Sequence, residues 1–186
     1  MPTLARLKMY ILFPDGEIGD QDMEQLQELL NVLDRQYAFN SLKRKNTLPP
    51  EQNIYWDRLS YLAGLGFVMC QQYINVTYPS DKVERDEAFQ LPPNHSSGCS
   101  IVQLINTGAN YWKHYQYPHN SLHKTTIQAI DGLGLEIEYP YVCESILDRI
   151  VETEDKPFNK LIVLLTDWRG HLIAKAKENL QGVDRP

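Results

Sequence analysis

The chain has 186 residues, an apolar share of 42% and a formal net charge of -6. That length suits one domain, residues 1–186, and that apolar share suits a sizeable core. The acidic balance excludes a general DNA coater, which needs a broad basic field, and leaves room for a small local RNA site.

Three cysteines, Cys70, Cys99 and Cys143, form no CxxC pair and are odd in number. This predicts reduced thiols and a cytoplasmic protein rather than a disulfide scaffold. No signal peptide is expected, because the short apolar run Leu7 to Phe13 meets Pro14-Asp15-Gly16 at once. The longest greasy region, Leu59 to Met69, is too short to span a bilayer, so no membrane partner is expected.

In chain order, the opening apolar segment turns at Pro14-Asp15-Gly16. Asp20 or Asp22 then caps a first helix, with Met23, Leu26, Leu29, Leu30, Leu33 and Tyr37 at helical spacing. Lys43-Arg44-Lys45 close it, where a helix dipole favours cations. Pro49-Pro50 break the run. A second long pattern from Trp56 to Ile74 is apolar on most faces, as expected of a central helix. Gly64 and Gly66 weaken it, which predicts close helix packing in return.

Residues 80–98 are charged, then turn-rich, and Asp81 to Glu87 are expected to face solvent. Ser100 caps a third pattern through Ile101, Leu104, Ile105, Gly108 and Trp112, ending before Pro118. A fourth helix begins near Thr125 with Ile127, Ile130 and Leu133, and another follows Pro140 with Val142, Ile146, Leu147 and Ile150. The segment Phe158 to Leu180 contains the strand-like run Leu161-Ile162-Val163-Leu164-Leu165. Its stripe of Leu161, Leu165, Trp168, Leu172 and Ala176 predicts a helix, against which Gly170 counts. Alternating strands are scarce. The expected fold is all-α, a compact antiparallel bundle of five or six helices with its core over about residues 20–180.

The chemistry-bearing stretch is Gly108-Ala109-Asn110-Tyr111-Trp112-Lys113-His114. Asn110 and His114 are four apart, which stacks them on one helix face. An imidazole can move a proton, a lysine can offset phosphate charge, and an amide can orient either. The plainer alternative is that Asn110 and His114 make structural hydrogen bonds beside a core stripe. Tyr111, Trp112, Tyr115 and Tyr117 form a dense aromatic patch that suits base stacking, or equally packing and a protein interface. His95, His114, His119 and His123 show no metal-ligand motif, so no metal and no cofactor is expected. Asp167 and His171 can pair on a helix surface.

Helix order and the run Asn110 to His114 resemble a divergent HEPN domain. The specific likeness covers Ala109 to His114, and the broader one about residues 20–180. Such domains are helical bundles, often dimeric, and many are metal-independent endoribonucleases in RNA processing or defence. Their motif is an arginine, commonly followed by a polar residue, then a histidine. Asn110 matches the polar position and His114 the histidine. Ala109 stands where the arginine would be, and Lys113 is the displaced substitute.

The resemblance implies RNA as partner, a homodimer as assembly, and His114, Lys113 and Asn110 as the catalytic set. The competing expectation is a non-catalytic protein-interaction, immunity or regulatory protein that uses Tyr111, Trp112 and Tyr115. A third is a small-molecule enzyme built on His114 or on Asp167 with His171.

Overall fold

The computed structural model describes residues 10–12, 18–78, 83–115, 122–137, 141–152 and 155–183. Tyr10–Leu12 (β1) pairs antiparallel with Ile18–Asp20 (β2). Seven helices follow among the described residues: α1 (Gln21–Lys45), α2 (Gln52–Thr77), α3 (Arg85–Gln90), α4 (Ile101–His114), α5 (Lys124–Gly132), α6 (Val142–Val151) and α7 (Pro157–Val183). The all-α bundle is therefore as expected, with α3 as an addition and a two-stranded ladder ahead of α1. The turn expected at Pro14-Asp15-Gly16 lies outside the described residues, as do Tyr117, Pro118, His119 and Pro140.

Two buried carboxylates, Asp20 and Asp34, hold the starts of α1 and α7. Asp20 is the N-cap of α1, and its Oδ1 accepts from the Met23 N–H at 3.0 Å. Its Oδ2 accepts from the Tyr73 hydroxyl at 2.7 Å and pairs with Arg169 Nη1 at 2.8 Å. One buried carboxylate thus ties α1, α2 and α7 together. Asp34 of α1 does the same for α7, accepting from the backbone N–H groups of Phe158 (2.9 Å) and Asn159 (3.0 Å). Those N–H groups have no partner inside their own helix, so the carboxylate supplies one. Burial nonetheless raises the Asp34 pKa above its ordinary value, outweighing these hydrogen bonds.

The core runs along α2, which packs on α1, α4 and α6. Leu59, Ala63, Phe67, Cys70 and Ile74 of α2 are fully buried. On α1 the inward stripe is Met23, Leu26, Leu30, Leu33 and Tyr37, whereas Leu29 points out and is 53% exposed. A Cβ on Gly64 would overlap the Trp112 ring, and one on Gly66 the Phe158 ring, so both glycines serve close packing.

Asp81 and Lys82 lie outside the described residues, and of the rest of the segment expected in solvent Glu84, Arg85 and Asp86 are exposed while Val83 is buried. From Arg85 the chain forms α3, which buries Ala88 and Phe89, and the Trp168 indole donates to the Ala88 carbonyl at 2.9 Å. α7 is helical throughout, with Leu161, Leu165, Trp168 and Leu172 buried. A Cβ on Gly170 would meet nothing, so that glycine sacrifices only propensity. Cys70, Cys99 and Cys143 are all free thiols. Among the described residues no helix is long and apolar enough to cross a membrane.

Candidate functional site

α4 carries every residue singled out between Asn110 and His114. Ser100 starts it with a reciprocal cap: its Oγ accepts from the Gln103 N–H at 3.1 Å, while its own N–H donates to Gln103 Oε1 at 2.8 Å. The Ser100 hydroxyl also donates to the Phe89 carbonyl, which joins α4 to α3. Ile101, Val102, Leu104, Ile105 and Ala109 are buried, and Phe67 lies against Gly108.

The outward face of α4 is polar. At about 100° per residue, Gln103, Asn110, Lys113 and His114 all fall within about 80° of Asn106 around the helix. Trp112 and Tyr115 fall about 120° and about 180° away. Asn110, Lys113 and His114 therefore share one side of α4, and the aromatics Tyr111, Trp112 and Tyr115 occupy another.

Gln71 of α2 organises the polar side. It is 8% exposed, in the middle of an otherwise apolar stripe. Its Oε1 accepts from Lys113 Nζ at 2.8 Å. Its Nε2 donates to Asn106 Oδ1 at 2.6 Å and to Asn110 Oδ1 at 3.1 Å. The polarity of the network follows from Lys113, because an ammonium only donates. The atom facing it must be the Gln71 oxygen, so the Gln71 amide protons face both asparagines. These must present their own oxygens, which leaves the Nδ2 protons of Asn106 and Asn110 for other acceptors. With the Lys113 charge beside them, this face offers donors and one cation. Lys113 and Asn110 are thus joined through Gln71, and His114 lies exposed in the last turn of the same helix.

The aromatic side is a separate place. Tyr61 and Trp112 meet edge to face, with ring centroids 5.6 Å apart and planes at 71°. The Tyr111 hydroxyl donates to the Ile137 carbonyl at 3.2 Å. With Asp57, Ser60 and Tyr115 these rings line a cleft of about 240 Å³. Tyr61 and Tyr115 are half exposed there, 56% and 51%.

Asp167 and His171 stand 3.7 Å apart on the surface of α7, while Arg169 between them turns inward to Asp20. Among the described residues no three His, Cys, Asp or Glu side chains cluster as a metal site would require.

Gln71 and Asn106 are the site residues that sequence reading did not single out. Asn106 was visible in principle, four residues before Asn110 on one helix face. Gln71 gave only the signal of a lone amide inside an apolar stripe. No family model, no curated protein and no solved structure matches this chain.

Proposed function

We propose that this chain is a HEPN-like RNA-binding protein whose α4 polar face cleaves RNA without a metal. The observation that carries the reading is the donor polarity of the Gln71 network, beside an exposed imidazole. Phosphate oxygens only accept. Lys113 and the amide protons of Asn110 and Asn106 only donate, and a charge-assisted hydrogen bond from lysine is the stronger kind.

In the cleavage the ribose 2′-oxygen bonds to the adjacent phosphorus and the bond from phosphorus to the 5′-oxygen breaks. One proton leaves the 2′-hydroxyl and one reaches the departing 5′-oxygen, giving a 2′,3′-cyclic phosphate and a 5′-hydroxyl. His114 serves one of those transfers, as base or acid, and solvent water serves the other. Lys113 offsets charge that builds on the phosphate, and Asn110 orients the phosphate or the imidazole. Gln71 holds Lys113 and Asn110 in place before substrate arrives.

The test is incubation of total cellular RNA with highly purified protein in EDTA, beside a folded His114→Ala control. Cleavage by the wild type, lost in the control, is the expected result. Cleavage that persists in the control removes His114 from the mechanism.

A second reading, a non-catalytic interaction protein, is favoured by one observation. The cleft of Tyr61, Tyr111, Trp112 and Tyr115 lies away from the polar face, with two rings half exposed. Aromatics of this kind are enriched at protein interfaces. Intact RNA in both samples, with a specific protein partner captured by the wild type and lost by Tyr115→Ala, favours this reading over the first.

A further inference from the structure

A larger cleft, about 600 Å³, lies between α3, α4 and α5 and shares only Asn106 with the Gln71 network described above. Its walls carry Arg85, Gln90, Gln103, Asn106, His123 and Gln128. Four of the thirteen lining residues are carboxamides, and the Asp86 carboxylate stands beside Arg85 on the same wall. A carboxamide presents a donor and an acceptor side by side, which is how asparagine and glutamine match the edges of nucleobases. The volume falls in the range of small-molecule sites, about 300–1,000 Å³.

The fixed hydrogen bonds set the polarity of the wall that α4 contributes. Gln103 spends Oε1 on the Ser100 N–H, so its amide protons are what it can offer. Asn106 spends Oδ1 on Gln71 and likewise offers protons. Two adjacent donors match a base edge with two adjacent acceptors, as cytosine O2 with N3 or guanine O6 with N7, better than the mixed N6 and N7 edge of adenine.

Arg85 supplies a cation for phosphate, and its guanidinium lies 5.1 Å from the Phe89 ring centroid. His123 Nδ1 accepts from the Thr125 N–H at 3.4 Å, with the Thr125 hydroxyl 2.9 Å away, which suits the tautomer with its proton on Nε2. Asn106 belongs both to this cleft and to the Gln71 network. The cleft therefore continues into the face that carries Asn110 and Lys113.

We propose that this cleft binds one nucleotide of a single-stranded RNA, with the base on the amide protons of Gln103 and Asn106 and the phosphate on Arg85. The proposal rests on the RNA reading of the α4 face and names the substrate feature that face selects: an unpaired, acceptor-edged base next to the phosphate at Lys113.

The experiment uses a fluorescein-labelled, 2′-O-methylated oligocytidine of twelve nucleotides, which cannot be cut, with fluorescence anisotropy in EDTA. Arg85→Ala removes the cation of the cleft, Gln103→Glu keeps the acceptor for the Ser100 N–H and removes the amide protons, and Lys160→Ala changes an exposed cation near the start of α7 as control. A second readout is alkylation of Cys99, which lines the cleft.

The expected result is binding about tenfold weaker in Arg85→Ala and in Gln103→Glu, the scale of one lost base or phosphate contact. Arg85→Ala also lowers the salt slope by about 0.7, the value for one single-strand phosphate contact. Lys160→Ala binds as the wild type does, oligoadenosine binds more weakly than oligocytidine, and bound RNA slows Cys99 alkylation.

RNA bound equally by wild type and both cleft variants, with Cys99 unprotected, overturns the cleft assignment while the reading at Lys113 and His114 stands. Equal binding of the two oligomers overturns the assignment of donors to the base. No RNA binding, but protection of Cys99 by millimolar cytidine 3′-monophosphate, keeps the cleft as a nucleotide site and overturns the RNA reading. No RNA binding together with no protection by either ligand overturns both.

Discussion

Gln71 has a buried amide whose two ends are both in use, with a cation on one side and two carbonyl oxygens on the other. Two substitutions separate its roles. Gln71→Leu keeps the approximate volume and removes every bond, leaving Asn106 and Asn110 short of a donor. Stability is expected to fall by about 1–3 kcal/mol, the cost of orphaned polar groups, read by urea denaturation. Gln71→Glu keeps the acceptor for Lys113 and removes the donors. The two asparagines then turn their amide protons toward the new carboxylate and their oxygens outward. RNA affinity is expected to fall about tenfold, or about 1.4 kcal/mol, with a smaller stability loss than in the leucine variant. Wild-type RNA affinity in Gln71→Glu would show that the donor polarity of this face is irrelevant to binding. Sequence spacing alone brought Asn110 and His114 to one face, because i and i+4 pairs follow from helix geometry. It could not place Gln71, whose partners lie 35 to 42 residues away. It also read Trp112 and Tyr115 as neighbours of Lys113 and His114, which they are along the chain, while the helix turns them to different sides.

The elements meet through glycines as much as through large side chains. A Cβ on Gly108 would overlap the Phe67 ring, and one on Gly64 the Trp112 ring. Phe67 is fully buried and has nowhere to go, whereas Trp112 is only half-buried and can swing outward. Overpacking costs about 1–3 kcal/mol and replacing a helix glycine by alanine regains about 1 kcal/mol. Gly108→Ala is therefore expected to destabilise clearly, and Gly64→Ala to lie near neutral. Denaturant midpoints of the two variants compare them directly, and a Gly64→Ala loss as large as that of Gly108→Ala would refute the idea that ring mobility decides the outcome. Close packing at Gly64 and Gly66 was legible from glycines inside an apolar helical run. The caps at Asp20 and Ser100 were legible from side-chain chemistry, and α7 from its stripe. α3 was not, because six residues give too little periodicity and what holds them is Trp168, about eighty positions on.

Across the whole molecule, the C-terminal end of α1, the start of α2 and α6 converge on one buried charge pair. Arg44 Nη1 lies 3.1 Å from Glu144 Oε1, and the Tyr37 hydroxyl donates to the same oxygen at 3.5 Å. The guanidinium sits over the Trp56 ring at 4.0 Å, and Trp56 stacks on Tyr141 at 5.4 Å. Burial, followed by repulsion from Asp148, raises the Glu144 carboxyl from its ordinary 4.5 to about 7, against the pull of Arg44 and Tyr37. Its folded pKa therefore lies above the unfolded one, and between those values the folded chain holds more protons than the unfolded chain. Stability from this group is fully present below pH 4.5 and is lost as pH rises through about 7. Ionisation near neutral pH charges a buried site whose pairing with Arg44 does not fully offset the loss of water. Glu144→Gln keeps the shape and cannot ionise. The wild type's unfolding free energy minus that of the variant is expected to fall steadily from pH 4.5 to 7 and to level off above. Urea titrations of both proteins across that range measure the difference, in which every other titrating group cancels to first order. A difference that grows with pH would mean that the ion pair outweighs burial, and that Arg44 and Glu144 lock the three helices together as a charged pair.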